Sequence, residues 1–191
     1  MSTFTHRGPW DSHSRQSPTL RFLETYIRNV DSLDVTTCPW SKFYSPDAIF
    51  HDARGDVYIS GSHIWTWLER IFSPFEGLLH EVIELRVIPE EDGRNVVYGE
   101  FLTHFRLKGD KHEVTAPRFF VFIVGDAEGG KGTDGLQIYE ASVFWDTGIL
   151  TSGDQSLVPQ TYEVIVPESA LKSAAGRLER LKGPQHDQHQ S

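Results

Sequence analysis

The sequence predicts an α+β domain in which a long antiparallel sheet curves around helices that precede it in the chain. Three observations lead there. Leu20, Leu23, Ile27 and Val30 recur at three- and four-residue spacing, the period of a helix with one buried face. Four long β-branched and aromatic runs then follow one another, over residues 80–89, 95–107, 113–125 and 136–146. Short turns separate them, at Glu91-Asp92-Gly93, Lys108-Gly109-Asp110 and the glycine-rich stretch from Gly125 to Gly135, so consecutive runs pair antiparallel. Helices first and a meander afterwards put the helices on one face of one sheet.

Taken in order, residues 1–17 are polar and carry the breakers Gly8 and Pro9, and are expected to form a disordered tail. Thr19 reads as the cap of a first helix that ends between Asp31 and Asp34, with Tyr26 one turn after Phe22. Pro39, suited to a first helical turn, precedes Trp40, Phe43 and Tyr44 and predicts a short second helix. Residues 48–52 read as a strand, Arg54-Gly55-Asp56 as a turn, and 57–59 as another extended stretch. Ser60-Gly61-Ser62 opens a third helix bearing Ile64, Trp65, Leu68, Ile71 and Phe72, which Pro74 closes. In the 95–107 run, Val97, Gly99, Phe101, Thr103 and Phe105 alternate with Tyr98, Glu100, Leu102, His104 and Arg106. The first set faces the core and the second is a semi-polar surface. The domain therefore spans residues 18–150. A C-terminal extension over 151–182 is expected to hold an edge strand at 162–166 and an amphipathic helix at 168–182, and residues 183–191 form a second tail.

Composition excludes several function classes. The single Cys38 allows no internal disulfide, and nothing has the ligand spacing of a structural zinc site. A net charge of −9 opposes binding to nucleic acid, whose phosphates are met by clustered lysine and arginine. No window approaches the roughly 20 apolar residues of a membrane helix. The N-terminal residues lack a signal-peptide core, so a cytoplasmic location is expected. Nine histidines are scattered among separate elements or lie in the tail at His186 and His189. The expectation is no metal and no cofactor.

The segment from Phe144 to Leu150 places an indole and a carboxylate, Trp145 and Asp146, at the end of an apolar run. Such a carboxylate either terminates a strand at the solvent edge or transfers protons at the mouth of a cavity. Other stretches point the same way: Tyr26 to Asp31 in the first helix, Tyr44 to Asp52 into the first strand, Gly61-Ser62-His63-Ile64 opening the third helix, and Tyr139 to Leu150 in the last strand. Their order over residues 18–150 resembles the cone-shaped fold of nuclear transport factor two, ketosteroid isomerase, scytalone dehydratase and the SnoaL-like polyketide cyclases.

The resemblance implies a cone-shaped α+β barrel, its sheet wrapped around three N-terminal helices and dimerised through the outer sheet face. It implies a role for three residues. Asp52 matches the carboxylate that shuttles a proton in ketosteroid isomerase-like enzymes, and Tyr26 the phenol that donates to a developing enolate. Asp146 matches the acid or base of SnoaL-like cyclases. The strand at Arg118 to Ile123 holds no carboxylic acid, which disfavours steroid isomerisation. It also lacks the histidine of the SnoaL-like pattern, and the paired histidines and tyrosines of scytalone dehydratase are not recognisable in the sequence.

Each residue also has a plainer use. Asp52 suits a turn, Asp146 a turn or cap, and Tyr26 ordinary packing. Arg118 serves either to bind a substrate carboxylate or to pair with Glu84 or Glu100 on the sheet surface, the commoner arrangement. The resulting expectation is a cofactor-independent enzyme for a small hydrophobic, polyketide- or terpenoid-like molecule, working by isomerisation, cyclisation or dehydration. Asp52 or Asp146 moves the proton, Tyr26 holds the oxyanion, and Trp40, Trp65, Trp145, Phe101, Phe120 and Arg118 shape the cavity. The alternative is a member of the same fold that binds a small ligand or a protein without chemistry.

Overall fold

The computed structural model describes residues 2–145. Asp146, the expected strand at 162–166, the helix at 168–182 and the final tail lie outside the described residues. Strands β1 (Phe4–Arg7), β2 (Tyr44–His51), β3 (Val57–Ile59), β4 (Phe75–Pro89), β5 (Asn95–Leu107), β6 (Val114–Asp126) and β7 (Leu136–Phe144) form one sheet in the order β1-β4-β5-β6-β7-β2-β3. Only the β2–β7 pair is parallel. Helices α1 (Pro18–Asp31) and α2 (Gly61–Phe72) pack on the inner face. This is the α+β cone that the sequence predicts.

Bulges between Phe75 and Gly77, between Val82 and Glu84, and between Ile123 and Val124 interrupt the register of the long strands. An extra residue on one strand bends and twists the pair, which curves the sheet around the helices. The inside/outside alternation of β5 follows its sequence. Val97, Gly99, Phe101, Thr103 and Phe105 are buried, and the other face is half-buried apart from exposed Arg106. His104 lies on that outer face between Glu81 and Glu113.

The N-terminal residues depart from expectation. Phe4 to Arg7 pair antiparallel with Val87 to Glu84, and the Gly8 amide donates to the Ile83 carbonyl at 3.1 Å. The exposed edge of β4 supplies the partners, and the burial of His6 (3% exposed) fixes which face of β1 turns inward. Arg15 then clamps α1 with a two-pronged contact to Glu24, at 2.8 and 2.7 Å, which also accepts from Arg28 at 2.9 Å. Residues 4–16 are thus part of the domain, where the sequence suggested a tail over 1–17.

The helices differ from expectation as well. The cap of α1 is Ser17, whose hydroxyl accepts from the Leu20 amide, and not Thr19. Pro18, with a fixed φ and no N–H to satisfy, takes the first helical position and moves the cap one residue earlier. The helix expected after Pro39 is a single 3₁₀ turn, Trp40–Lys42, because β2 begins at Tyr44 and leaves no room for another turn. Two α-helices therefore occupy the cone where three helices were expected. Gly61 opens α2 where a Cβ would come within 2.7 Å of the Ser45 carbonyl oxygen and 2.6 Å of the Trp40 ring.

Two outcomes follow for stability. Gly61→Ala should cost about 2 kcal/mol in urea denaturation, since a backbone carbonyl cannot step aside as a flexible side chain can. The bonds from Arg15 and Arg28 hold the Glu24 carboxyl below its usual value of 4.5. Its contribution is therefore complete above the ordinary glutamate range and is lost as pH falls through the lower folded value. Glu24→Gln should flatten the acid limb of a stability–pH profile below about pH 4.5.

Candidate active site

A cleft of about 430 Å³, measured out to its open mouth, runs between the helices and the inner face of the sheet. Tyr26, Ile27 and Val30 of α1 line it on one side, with Trp67, Leu68, Ile71 and Phe72 of α2 beside them. Phe50, His80, Arg118, Phe120 and Phe122 rise from the sheet. The enclosed part has room for about two water molecules, and the rest of the cleft is open to solvent. The walls are apolar except at Tyr26, His80, Arg118 and the indole N–H of Trp67.

The polar groups in the cleft form a chain. Asp31 is the last residue of α1, a place where the helix dipole disfavours negative charge. His80 compensates with two contacts: its backbone amide donates to Asp31 Oδ2 at 3.1 Å, and its Nδ1 lies 2.6 Å from Oδ1. A carboxylate only accepts, so Nδ1 carries the hydrogen and Nε2 presents a lone pair. Arg118 Nη1 lies 3.4 Å from that Nε2. Burial lowers the His80 pKa from 6.5, the Asp31 bond works in the opposite direction, and the Arg118 charge adds to the lowering. The imidazole is consequently a neutral base at pH 7.

Arg118 is buried at 8% exposure. Its guanidinium lies 4.9 Å from the ring centres of both Phe120 and Trp145 and 5.6 Å from that of Phe105. Burial pulls its pKa down to about 10, so it stays charged at neutral pH. The surface ion pair considered for it does not form. Arg118 shares the inner parity of β6 with Phe120 and Phe122, and Glu84 is taken by Arg7 and Arg86. Among the described residues no carboxylate pairs with Arg118, and its buried Nε has no hydrogen-bond partner. A cation held by aromatic faces and by one N–H contact to His80 keeps its other donors, the Nε among them, for an anionic or developing-anionic oxygen.

Tyr26 occupies the cavity as expected. Its hydroxyl lies 2.7 Å from that of Tyr44, and burial pushes its pKa up to about 12. When Tyr44 donates to Tyr26, the Tyr26 hydrogen is free to point at a ligand. The phenol is neutral at any physiological pH.

The remaining expected residues separate into neighbours of the site and residues placed elsewhere. Asp52 does not line the cleft. β2 ends at His51, and the Asp52 carboxylate accepts from the Arg54 and Asp56 amides at 2.8 and 2.9 Å, closing the turn into β3. Free amides of its own turn capture it, as the plainer reading of aspartate allows. Trp65 is a core residue, stacked on Phe43 with its indole N–H donating to the Val35 carbonyl at 2.9 Å. Trp40 packs over Gly61. Phe101 and Trp145 form a second layer, Phe101 edge-on to His80 and Phe120, and Trp145 stacked on Phe105 behind the guanidinium. Phe120 lines the cleft directly. Asp146 lies outside the described residues.

His80, Asp31 and Trp67 were missed. His80 stands between Leu78 and Val82, all three buried on one face of β4, so period-2 parity alone pointed it inward. Asp31 belongs to the α1 motif already singled out, but its partner is 49 residues away, a separation that no local pattern encodes.

No family model and no curated protein sequence matches the chain. Solved structures do. A scytalone dehydratase-like protein from Novosphingobium aromaticivorans aligns with a TM-score of 0.58 at 12% identity, over 69% of this chain and 84% of that one. A SnoaL-like protein of polyketide cyclase type from Shewanella denitrificans aligns at 0.51 and 16%, over 76% and 99%. Nuclear transport factor 2 from Cryptosporidium parvum aligns at 0.53 and 12%, over 71% and 97%. The chain has the NTF2-like, SnoaL-like fold, and at these identities the likeness establishes nothing finer than the fold.

The dyad predicts a spectroscopic signature. In a ¹H–¹⁵N experiment tuned to histidine side chains, His80 should show the Nδ1–H tautomer at pH 7 and protonate only below 6.5, whereas Asp31→Asn should disturb both properties. Protonation of His80 above 6.5 in the native protein contradicts the assignment.

Proposed function

We propose that this protein is a cofactor-independent acid–base enzyme, in which His80 rather than Asp52 moves the proton. The observation that supports this most directly is His80 itself, a cleft-lining imidazole kept neutral by burial and oriented by Asp31, whose Nε2 lone pair accepts from the Arg118 guanidinium until a substrate oxygen draws that cation away. The substrate class is a small hydrophobic molecule, polyketide- or terpenoid-like, with a carbonyl or phenolic oxygen. Nε2 removes a proton next to that carbonyl and the electron pair moves onto oxygen. Arg118 and Tyr26 then stabilise the resulting oxyanion by charge and hydrogen bonding, while Asp31 steadies the imidazolium. The proton returns from His80 to a different carbon, giving isomerisation; or the enolate carbon attacks a second carbonyl of the same molecule, whose oxygen takes the π electrons and then the proton, giving ring closure; or the proton goes to a leaving hydroxyl that departs as water, giving dehydration. The names of the solved relatives, dehydratase and polyketide cyclase, belong to this same reaction class. Among the described residues the walls carry nothing polar beyond His80, Arg118, Tyr26 and the Trp67 indole, which suits a substrate recognised mainly by shape.

The test begins with the compound that accumulates when the protein is absent, incubated with pure protein. His80→Gln should lower kcat by about 10²–10⁴-fold with ligand affinity nearly unchanged, and Tyr26→Phe should lower it less. Asp52→Asn should leave turnover unaltered. Full activity of His80→Gln sinks the proton-transfer assignment, and a compound that binds but is recovered unchanged makes the protein a ligand carrier.

The outer sheet face supports a homodimer in the same proposal. Leu79 and Ile83 of β4 are exposed, and across the intervening β5 Phe119, Val121 and Ile123 of β6 are half-buried. Sedimentation should give a dimer at micromolar concentration, which Val121→Asp should dissociate.

A further inference from the structure

A second group of chemistry-bearing side chains stands apart from the cleft, on the N-terminal segment. His6, Asp11 and His13 bring one ligand atom each to within 4.8 Å of one another, and none of the three lines the cavity. The cluster is braced from behind. His6 Nε2 lies 3.0 Å from the Pro9 carbonyl oxygen, an acceptor, so Nε2 carries the hydrogen and Nδ1 is left as a lone pair. That lone pair faces Asp11 Oδ1 at 3.8 Å, an electron-rich atom set against another. The backbone amides of His13 and Ser14 both donate to Asp11 Oδ1 at 2.8 Å, which fixes the carboxylate and leaves Oδ2 to coordinate. The His13 ring is held flat against Phe4, with centroids 4.9 Å apart, and its centre lies 6.0 Å from that of His6.

We propose that His6, Asp11 and His13 form a binding site for a divalent transition-metal ion of the zinc class. Two imidazole nitrogens and one carboxylate oxygen are a zinc donor set, with water completing the tetrahedron. A hydrogen bond from the far nitrogen of an imidazole to a carbonyl is the usual outer support of such a ligand. The 4.8 Å spread must contract for bonds of about 2.0–2.2 Å. Exposed Asp11 and His13 close that gap by yielding part of the amide bonds on Asp11 and of the Phe4 stacking on His13, while buried His6 stays fixed. The cation resolves the repulsion between the His6 lone pair and Asp11. It would tie the end of β1 to the turn that leads into α1, so its effect is structural.

The full chain carrying His186→Ala and His189→Ala, to remove tail histidines, is titrated with zinc chloride alone, following bound metal and melting temperature. One equivalent should bind with micromolar or better affinity and raise the melting temperature. His13→Ala and Asp11→Asn, both at exposed positions that should not impair folding, should each weaken binding at least tenfold and abolish the rise. No zinc uptake by the parent chain overturns the proposal, as does unchanged uptake and stabilisation in both variants. Stabilisation that comes from acid alone, with no metal bound, also overturns it and marks His6 as the protonated partner of Asp11.

Discussion

The bond between Asp31 and His80 constrains the rest of the inner face. It joins the end of α1 to β4, and neither partner is well placed without the other. A carboxylate at a helix C-terminus needs donors, and a buried imidazole needs its hydrogen satisfied. Satisfying both at once fixes the height of α1 over the sheet, and with it the position of Tyr26 on that helix. It also fixes which imidazole nitrogen is basic. Packing and proton chemistry are therefore set by one contact, and loosening it for the sake of one disturbs the other.

Arg118 answers to a different balance. A guanidinium buried without a carboxylate is costly, and aromatic rings recover only part of that cost. Phe105, Phe120 and Trp145 surround it on three sides. A surface salt bridge would have been easier to satisfy but would have left the cavity without a cation. The cation adjoins His80 and discourages its protonation, so the same residue that is ready to stabilise an oxyanion also keeps the base unprotonated.

The fold was largely legible because it is written in local periods. The four long runs became β4 to β7, and the alternation in β5 correctly separated core from surface. What failed was the content of short, context-dependent pieces. Pro39 could begin a helix only if β2 began later, and residues 4–7 could be recognised as a strand only with the edge of β4 in view. The site was half legible. Tyr26, Phe120 and Arg118, singled out in the sequence, line the cleft, whereas Asp52 was favoured on positional resemblance and is held by its own turn. The Asp31–His80 pair is tertiary in origin: each residue looks unremarkable in its own segment, an aspartate at a helix end and a histidine in an apolar strand.

The short β1 has a consequence for how the molecule keeps to itself. β4 is fifteen residues long, and without a neighbour on that side it would present bare amides and carbonyls to any passing extended chain. Four residues of β1 cover the stretch from Glu84 to Val87, and the Arg7–Glu84 contact adds charge at that end. Trimming the chain back to the start of α1, as its polar composition invites, would remove this guard and lay that stretch of β4 open as a template for self-association.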